Sequence, residues 1–256
     1  MNASRVPVVD AHVRLGTGRE VALDAATLLA TMDQLGIDRA LIAPDERCTA
    51  VANGEGNDLV TTAARESGGR LSAYAVANPW HGAAALAELA RAAGAGAVAL
   101  AVDPVLQGFD LLDGLVDPLL GFAGEHGWLV YVRTGTPPSA LPLPLATLAR
   151  RYPGVRFLMG RSGATDFWID AAPALRYAPN LYADTAYAPW DTVLSEFARD
   201  PEIGTSRVIF STDSPYTVAK SEVTRVRDWT IGEDERAAVL GGTLLGLLGA
   251  ARSDRR

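Results

Sequence analysis

The chain has one cysteine, Cys48, and three histidines, His12, His81 and His126, among 256 residues. A lone cysteine makes no intrachain disulfide and no cysteine zinc site, and nothing argues for an oxidising compartment. Long apolar runs are missing too. Stretches such as Val239 to Ala251 are broken by glycine, and none reaches the roughly 18 residues of a membrane-spanning helix. Positive charge is in deficit: 23 Lys and Arg face 30 Asp and Glu, a formal net charge of −7. A nucleic-acid binder or a membrane-surface protein would carry a basic face, so neither is expected. The N-terminal stretch to Val9 lacks the apolar core and small-residue cleavage site of a secretory signal. The expectation is a soluble, cytoplasmic protein.

Apolar material is plentiful. Hydrophobic residues make up 48% and charged residues 21%, which suits a sizeable core and excludes disorder as the main description. Short strand-like runs alternate with helix-like segments. Strands are expected at Val6 to Val13, Ala40 to Ala43, Leu71 to Ala77, Ala97 to Val102, Trp128 to Val132, Val155 to Met159, Leu181 to Ala183 and Arg207 to Phe210. The helices between them are expected at Asp24 to Leu35, Asn57 to Glu66, Ala83 to Ala93, Asp117 to Gly127, Leu145 to Tyr152, Asp166 to Tyr177 and Trp190 to Arg199, with further helix from about Ser221 to Ala250. Asp24 is placed to cap the first helix and Gly36 to end it; Asp117 with Pro118 reads as a cap followed by a first-turn proline. The strands are short and rich in Val, Leu and Ile, as when both faces are buried. Eight such units predict one closed (β/α)₈ barrel over about 6–230, with C-terminal helices over about 231–250, as a single domain over 1–256. A doubly wound open sheet is the alternative, but no G-x-G-x-x-G follows the first strand.

In a barrel, chemistry sits at the C-terminal ends of the strands. Those ends carry Asp10, His12 and Arg14; Asp45, Glu46 and Arg47; Asn78, Trp80 and His81; Asp103; Arg133 and Thr134; Arg161 and Ser162; Asp184, Thr185 and Tyr187; and Thr212, Asp213 and Ser214. Stability alone does not call for so many charges at one end.

The order of these segments resembles the amidohydrolase-2 group of the amidohydrolase superfamily, metal-dependent hydrolases and decarboxylases on a (β/α)₈ barrel. VVDAHVRLG is similar to the D-x-H-x-H of that family's first strand. VYVRTG resembles its H-T-G on strand five, FLMGRSGA its H-x-G-G on strand six, and VIFSTDSPY its G-S-D-x-P on strand eight. The resemblance implies that His12, Arg14, Arg133, Arg161 and Asp213 stand where the family holds its divalent metal. Three of the four histidines are arginine here. Guanidinium stays protonated and has no lone pair to offer, so it is no ligand. His12 and Asp213 alone fall short of the three protein ligands usual for catalytic zinc. The expectation is no catalytic metal and no cofactor.

Arginine forks suit carboxylates. The resulting expectation is a metal-independent hydrolase or carbon–carbon lyase acting on a small anionic, carboxylate-bearing substrate. Arg133 and Arg161 would polarise a carbonyl in place of the metal, Asp213 would be the base and His12 the assisting acid or base. Arg14 would hold the substrate, with Arg47, Trp80 and Tyr187 at the pocket wall. The alternative is a catalytically inactive homologue that binds a ligand or partner, its arginines paired with Asp10, Asp184 and Asp213. Side chains filling the mouth would favour that alternative, and an open mouth the enzyme. A third arrangement is a metal held by His12, Asp10 and Asp213. The family resemblance makes a homodimer a reasonable expectation.

Overall fold

The computed structural model describes residues 6–163, 168–188 and 191–253. The expected starts of two helices, Asp166 and Trp190, lie outside the described residues, as do Ala164 of the sixth-strand segment and the tail after Ser253.

The strands are β1 (Val9–Thr17), β2 (Ala22–Leu23), β3 (Arg39–Pro44), β4 (Leu71–Ala75), β5 (Ala99–Val102), β6 (Leu129–Arg133), β7 (Arg156–Gly160), β8 (Leu181–Asp184) and β9 (Val208–Ile209). They form one sheet in the order β2-β1-β3-β4-β5-β6-β7-β8-β9. All pairings are parallel except the short β1–β2 hairpin. The two ends of the parallel set meet: Ala11 N–H donates to Phe210 O (3.0 Å), Asp213 N–H to His12 O (3.1 Å) and Arg14 N–H to Ser214 O (2.8 Å). The eight parallel strands therefore close into the expected (β/α)₈ barrel.

Local chemistry explains most element ends. Asp24 Oδ1 accepts from Thr27 N–H at 2.7 Å and Gly36 takes the left-handed φ of 64°, so both ends of the first helix are as expected. Elsewhere the boundaries shift. β1 runs on to Thr17 because it gains the hairpin partner β2, which the hydrophobic pattern does not signal. Asp117 is the first helical residue rather than the cap, which is Val116. The helix after β6 begins earlier, at Pro142, because prolines are tolerated in a first turn, where the missing N–H has no partner to lose. Short helices Glu46–Ala50 and Pro104–Gln107 occupy what reads as loop. The C-terminal helical stretch is Ala219–Arg227, Glu233–Ala237, a π turn at Ala238–Gly242, and Thr243–Ser253. Gly241 packs so closely on Pro7 O that a Cβ would overlap it. Among the described residues, no helix is long and apolar enough to cross a bilayer.

Two apolar clusters divide the residues by parity. The inner one, filling the barrel, holds Val9, Ala11, Ala101, Leu129, Tyr131, Leu158 and Ile209; the outer one, between sheet and helices, holds Val8, Val13, Val102, Val132, Met159, Ala183 and Phe210. Successive strand residues alternate faces. Asp103, Arg133, Gly160, Asp184 and Asp213 therefore continue the inner face at the C-terminal mouth. On β1 the register shifts between Asp10 and Val13. That shift breaks the alternation, so His12 and Arg14 face inward while Asp10 lies on the outer side with Thr212.

Candidate functional site

His12 is fully buried, and its Nδ1 lies 3.0 Å from Asp213 Oδ1. Arg161 grips the other oxygen, Oδ2, through Nε (2.8 Å) and Nη2 (2.7 Å). Burial alone would raise the Asp213 carboxyl, but Arg161, the His12 hydrogen bond and Arg14 outweigh it and hold the group down at about 2. An ionised carboxylate only accepts, so the His12 proton sits on Nδ1. Burial depresses the His12 pKa despite Asp213, which keeps the ring neutral. Nε2 is then a bare acceptor, and it has no partner among the described residues. The ring stacks on Tyr131, with centroids 3.8 Å apart and planes 2° from parallel.

A second group centres on Asp103. Its Oδ2 accepts from Arg14 Nη2 at 2.9 Å and lies 3.7 Å from Arg133 Nη1. Arg14 also donates to Thr49 Oγ1 at 3.3 Å. Two guanidiniums thus share one carboxylate. Arg14 is 6% exposed at its side chain, whereas Arg133 is 21% exposed, so Arg133 is the arginine with accessible surface.

Backbone strain gathers at the mouth. The non-glycine residues with positive φ among those described are Arg161 (62°), Ser162 (48°), Tyr187 (61°) and Asp213 (51°). Residues held there persist only where surrounding contacts over-determine them, and such strain collects at functional sites. Here the contacts are visible. Ser162 N–H donates to Asp184 Oδ1 at 3.1 Å, and the Arg161 guanidinium lies 4.5 Å from the Tyr187 ring centroid and 5.7 Å from that of Tyr216.

The structure thus brings together His12, Arg14, Arg133, Arg161, Asp213 and Tyr187. It does not bond Arg47 or Trp80 to this group. Arg47 pairs with Glu55 at the surface, and Trp80, 61% exposed, donates its indole N–H to Gly108 O at 3.0 Å. The pairing expected of an inert site is also revised. Asp213 takes Arg161, but Asp10 takes Thr212 through its backbone N–H (2.9 Å) and hydroxyl (2.5 Å). Asp184 takes the Ser162 N–H, and the carboxylate that serves Arg14 and Arg133 is Asp103.

Apart from parity, nothing in the sequence pattern singles out Tyr131 as a site residue. Two residues before Arg133 on one strand, it shares that residue's inward face, and this parity was its available signal. His126 lies away from the mouth, stacked on Phe122 at 3.9 Å at the end of a helix. Cys48 is 2% exposed, and burial pushes its thiol to about 11, so it is no ready nucleophile.

The residues do not fit a divalent metal. Arg14, Arg133 and Arg161 have no lone pair, and both Asp213 oxygens are engaged. Asp10, whose burial raises it to about 7, is turned to Thr212 on the other face. No group of three or more His, Cys, Asp and Glu poised to hold a metal occurs among the described residues. The arrangement of His12, Asp10 and Asp213 around an ion is therefore not formed.

Several solved structures share the fold. A 2,6-dihydroxybenzoate decarboxylase from Rhizobium is 17% identical, with a TM-score of 0.74 over 95% of this chain and 99% of that one. A 5-carboxyvanillate decarboxylase from Novosphingobium aromaticivorans, complexed with manganese and 4-hydroxy-3-methoxy-5-nitrobenzoic acid, is 14% identical, with a TM-score of 0.75 over 95% and 96%. An uncharacterized TIM-barrel protein from Bordetella bronchiseptica is 15% identical, with a TM-score of 0.76 over 96% and 99%. No curated protein sequence matches the chain. The amidohydrolase family model matches residues 9–247, with the barrel and its mouth inside that span, and the chain belongs to this family.

Proposed function

We propose that this protein is a metal-independent lyase that removes CO2 from a small carboxylate, with Arg133 as the principal anchor of the substrate anion. The observation that carries it is the sharing of Asp103. Two guanidiniums face one carboxylate, and the one held at 3.7 Å is the partly exposed Arg133. An incoming carboxylate supplies the missing counter-charge, and the guanidinium fork favours a two-point contact. The decarboxylase folds nearby support the lyase class over the hydrolase. One of those enzymes was solved with manganese; the donor set of this chain supports a different source of positive charge, its own arginines.

The electrostatics change the proton chemistry expected from sequence. Asp213, held near 2 with both oxygens bonded, is a weak base. His12 Nε2 is the free lone pair. We assign proton transfer to His12 and tautomer control to Asp213. Carbon–carbon cleavage releases CO2 and leaves an electron pair on carbon. Nε2 of the neutral ring first takes the proton of the substrate's own acidic hydroxyl; that proton then passes from Nε2 to the carbon as the C–C bond breaks, and His12 returns to its neutral form with the oxygen left deprotonated.

The inactive-homologue reading keeps one observation in its favour: the central side chains are bonded to one another and buried, His12 at 0%, Asp213 at 1% and Arg161 at 6% exposure. One experiment separates the two. Chelator-treated protein is incubated with a panel of hydroxybenzoates and CO2 release is measured, together with binding of the same acids. Release that survives the chelator supports the lyase. Binding without release supports the inactive homologue.

A further inference from the structure

Four successive strands place inward-facing residues at one level of the mouth. Arg133 is in register with Gly160. The β5–β6 register, which pairs Val102 with Val132, continues to Asp103 beside Arg133. The β7–β8 register, which pairs Met159 with Ala183, continues to Asp184 beside Gly160. Among Asp103, Arg133, Gly160 and Asp184, only the glycine brings no side chain. Its place is taken from the layer below. A Cβ on Gly160 would overlap the hydroxyl and ring of Tyr131, so the phenol tip lies in the gap between Arg133 and Asp184.

That hydroxyl is fully buried and without a hydrogen-bond partner among the described residues, and so is Asp184 Oδ2 on the far side of the gap. An unmet buried donor is a cost to folding that a bound acceptor removes. Burial, reinforced by the charge of Asp213, keeps the phenol far from ionising, so it remains a donor. The ring is fixed by its stack on His12. A donor that is rigid, neutral, unsatisfied and two residues along the strand from a partly exposed guanidinium is suited to one kind of ligand atom, a carboxylate oxygen.

We propose that Tyr131 donates a hydrogen bond to the substrate carboxylate in a subsite formed with Arg133 over Gly160. This deepens the carboxylate reading above and rests on it. The ligand class is a small carboxylate of about benzoate size, with one oxygen on Arg133 and the other on the Tyr131 hydroxyl. The same arrangement puts the carbon bearing that carboxylate beside His12, on which Tyr131 is stacked.

The test uses the full chain and benzoate as probe. Calorimetry gives the Kd for wild type, Tyr131→Phe, Arg133→Gln and the double variant, and thermal melts are run with and without benzoate. Tyr131→Phe is expected to weaken benzoate roughly tenfold to a hundredfold, the range for a hydrogen bond to a charged group. It is also expected to leave the ligand-free Tm unchanged or higher, because it removes an unmet hydroxyl. A residue that only supports the fold would lower Tm without this loss of affinity. The double variant is expected to lose less than the product of the two single losses, since both donors serve one carboxylate. If Arg133→Gln loses benzoate while Tyr131→Phe binds it like wild type, the role of Tyr131 is overturned and the carboxylate reading stands. If wild type binds neither benzoate nor any of the hydroxybenzoates, the carboxylate reading falls, and this subsite with it.

Discussion

Arg161 closes on Asp213 through a single carboxylate oxygen, Oδ2, reached by both Nε and Nη2, while the other oxygen holds His12. One buried carboxylate therefore fixes a guanidinium and an imidazole at once. The guanidinium compensates a charge that burial would otherwise neutralise, and the imidazole is held in one tautomer.

Asp213→Asn should cost both stability and turnover. The substitution leaves the Arg161 charge buried without its partner, a loss of about 3–5 kcal/mol when a buried pair is broken. The expected result is a clear drop in the urea midpoint with the slope unchanged, and loss of the fixed His12 tautomer in its ring nitrogen shifts. An unchanged midpoint would show that the pair adds nothing to folding.

Arg133→Gln should do the opposite. Its ion pair is long and partly exposed, and Asp103 keeps its bond to Arg14. Stability should change by less than about 1 kcal/mol, while carboxylate affinity falls roughly tenfold or more. Melts and titrations on one sample decide this. Equal affinity in both proteins would remove Arg133 from the subsite.

Stability should rise on acidification from pH 8 to about 5, then fall. Burial raises Asp10 and Glu222 to about 7 in the folded protein. Their ordinary values are near 4. Between these limits the unfolded chain releases protons that the folded one keeps, so raising the pH destabilises the fold. Asp184, also raised by burial, adds to this rise. Two groups work in the other direction. Burial depresses His12, so acidification below its ordinary value near 6.5 protonates it in the unfolded chain and takes back part of the gain, one group against three. Asp213, held near 2, has a contribution that is present above its unfolded value and is lost as pH falls through about 4 to 2. Tm measured against pH should peak on the acid side of neutral. Asp10→Asn with Glu222→Gln should flatten the limb above pH 5; a limb of unchanged slope would assign it to other groups.

Manganese or zinc should leave Tm unmoved, and so should a chelator. A ligand that binds only the folded state raises Tm by mass action, and this mouth offers guanidinium where a metal needs lone pairs. Elemental analysis of protein purified without chelator should find less than stoichiometric metal. A stoichiometric divalent ion that melts the protein on removal would contradict the donor-set argument.

Much of this was legible in the sequence. The alternation of short apolar strands with capped helices determined the barrel, because period and capping are local properties of a few neighbouring residues. The strand ends located the mouth, and the residues at the ligand positions showed that His12 and Asp213 stand among arginines. Tertiary structure alone decided who pairs with whom. His12 and Asp213 are 201 residues apart in the chain and Arg14 and Asp103 are 89 apart, and pairing at such separations is set by strand register. A one-step register shift on β1 leaves Asp10 on the outer face, where its Oδ1 accepts from the His12 backbone N–H at 3.2 Å, while the His12 ring turns inward to Asp213. A missing side chain at Gly160 admits the phenol of a residue two places before Arg133. Parity along one strand is written in the sequence; the neighbour that parity meets across the barrel is fixed only when the strands close.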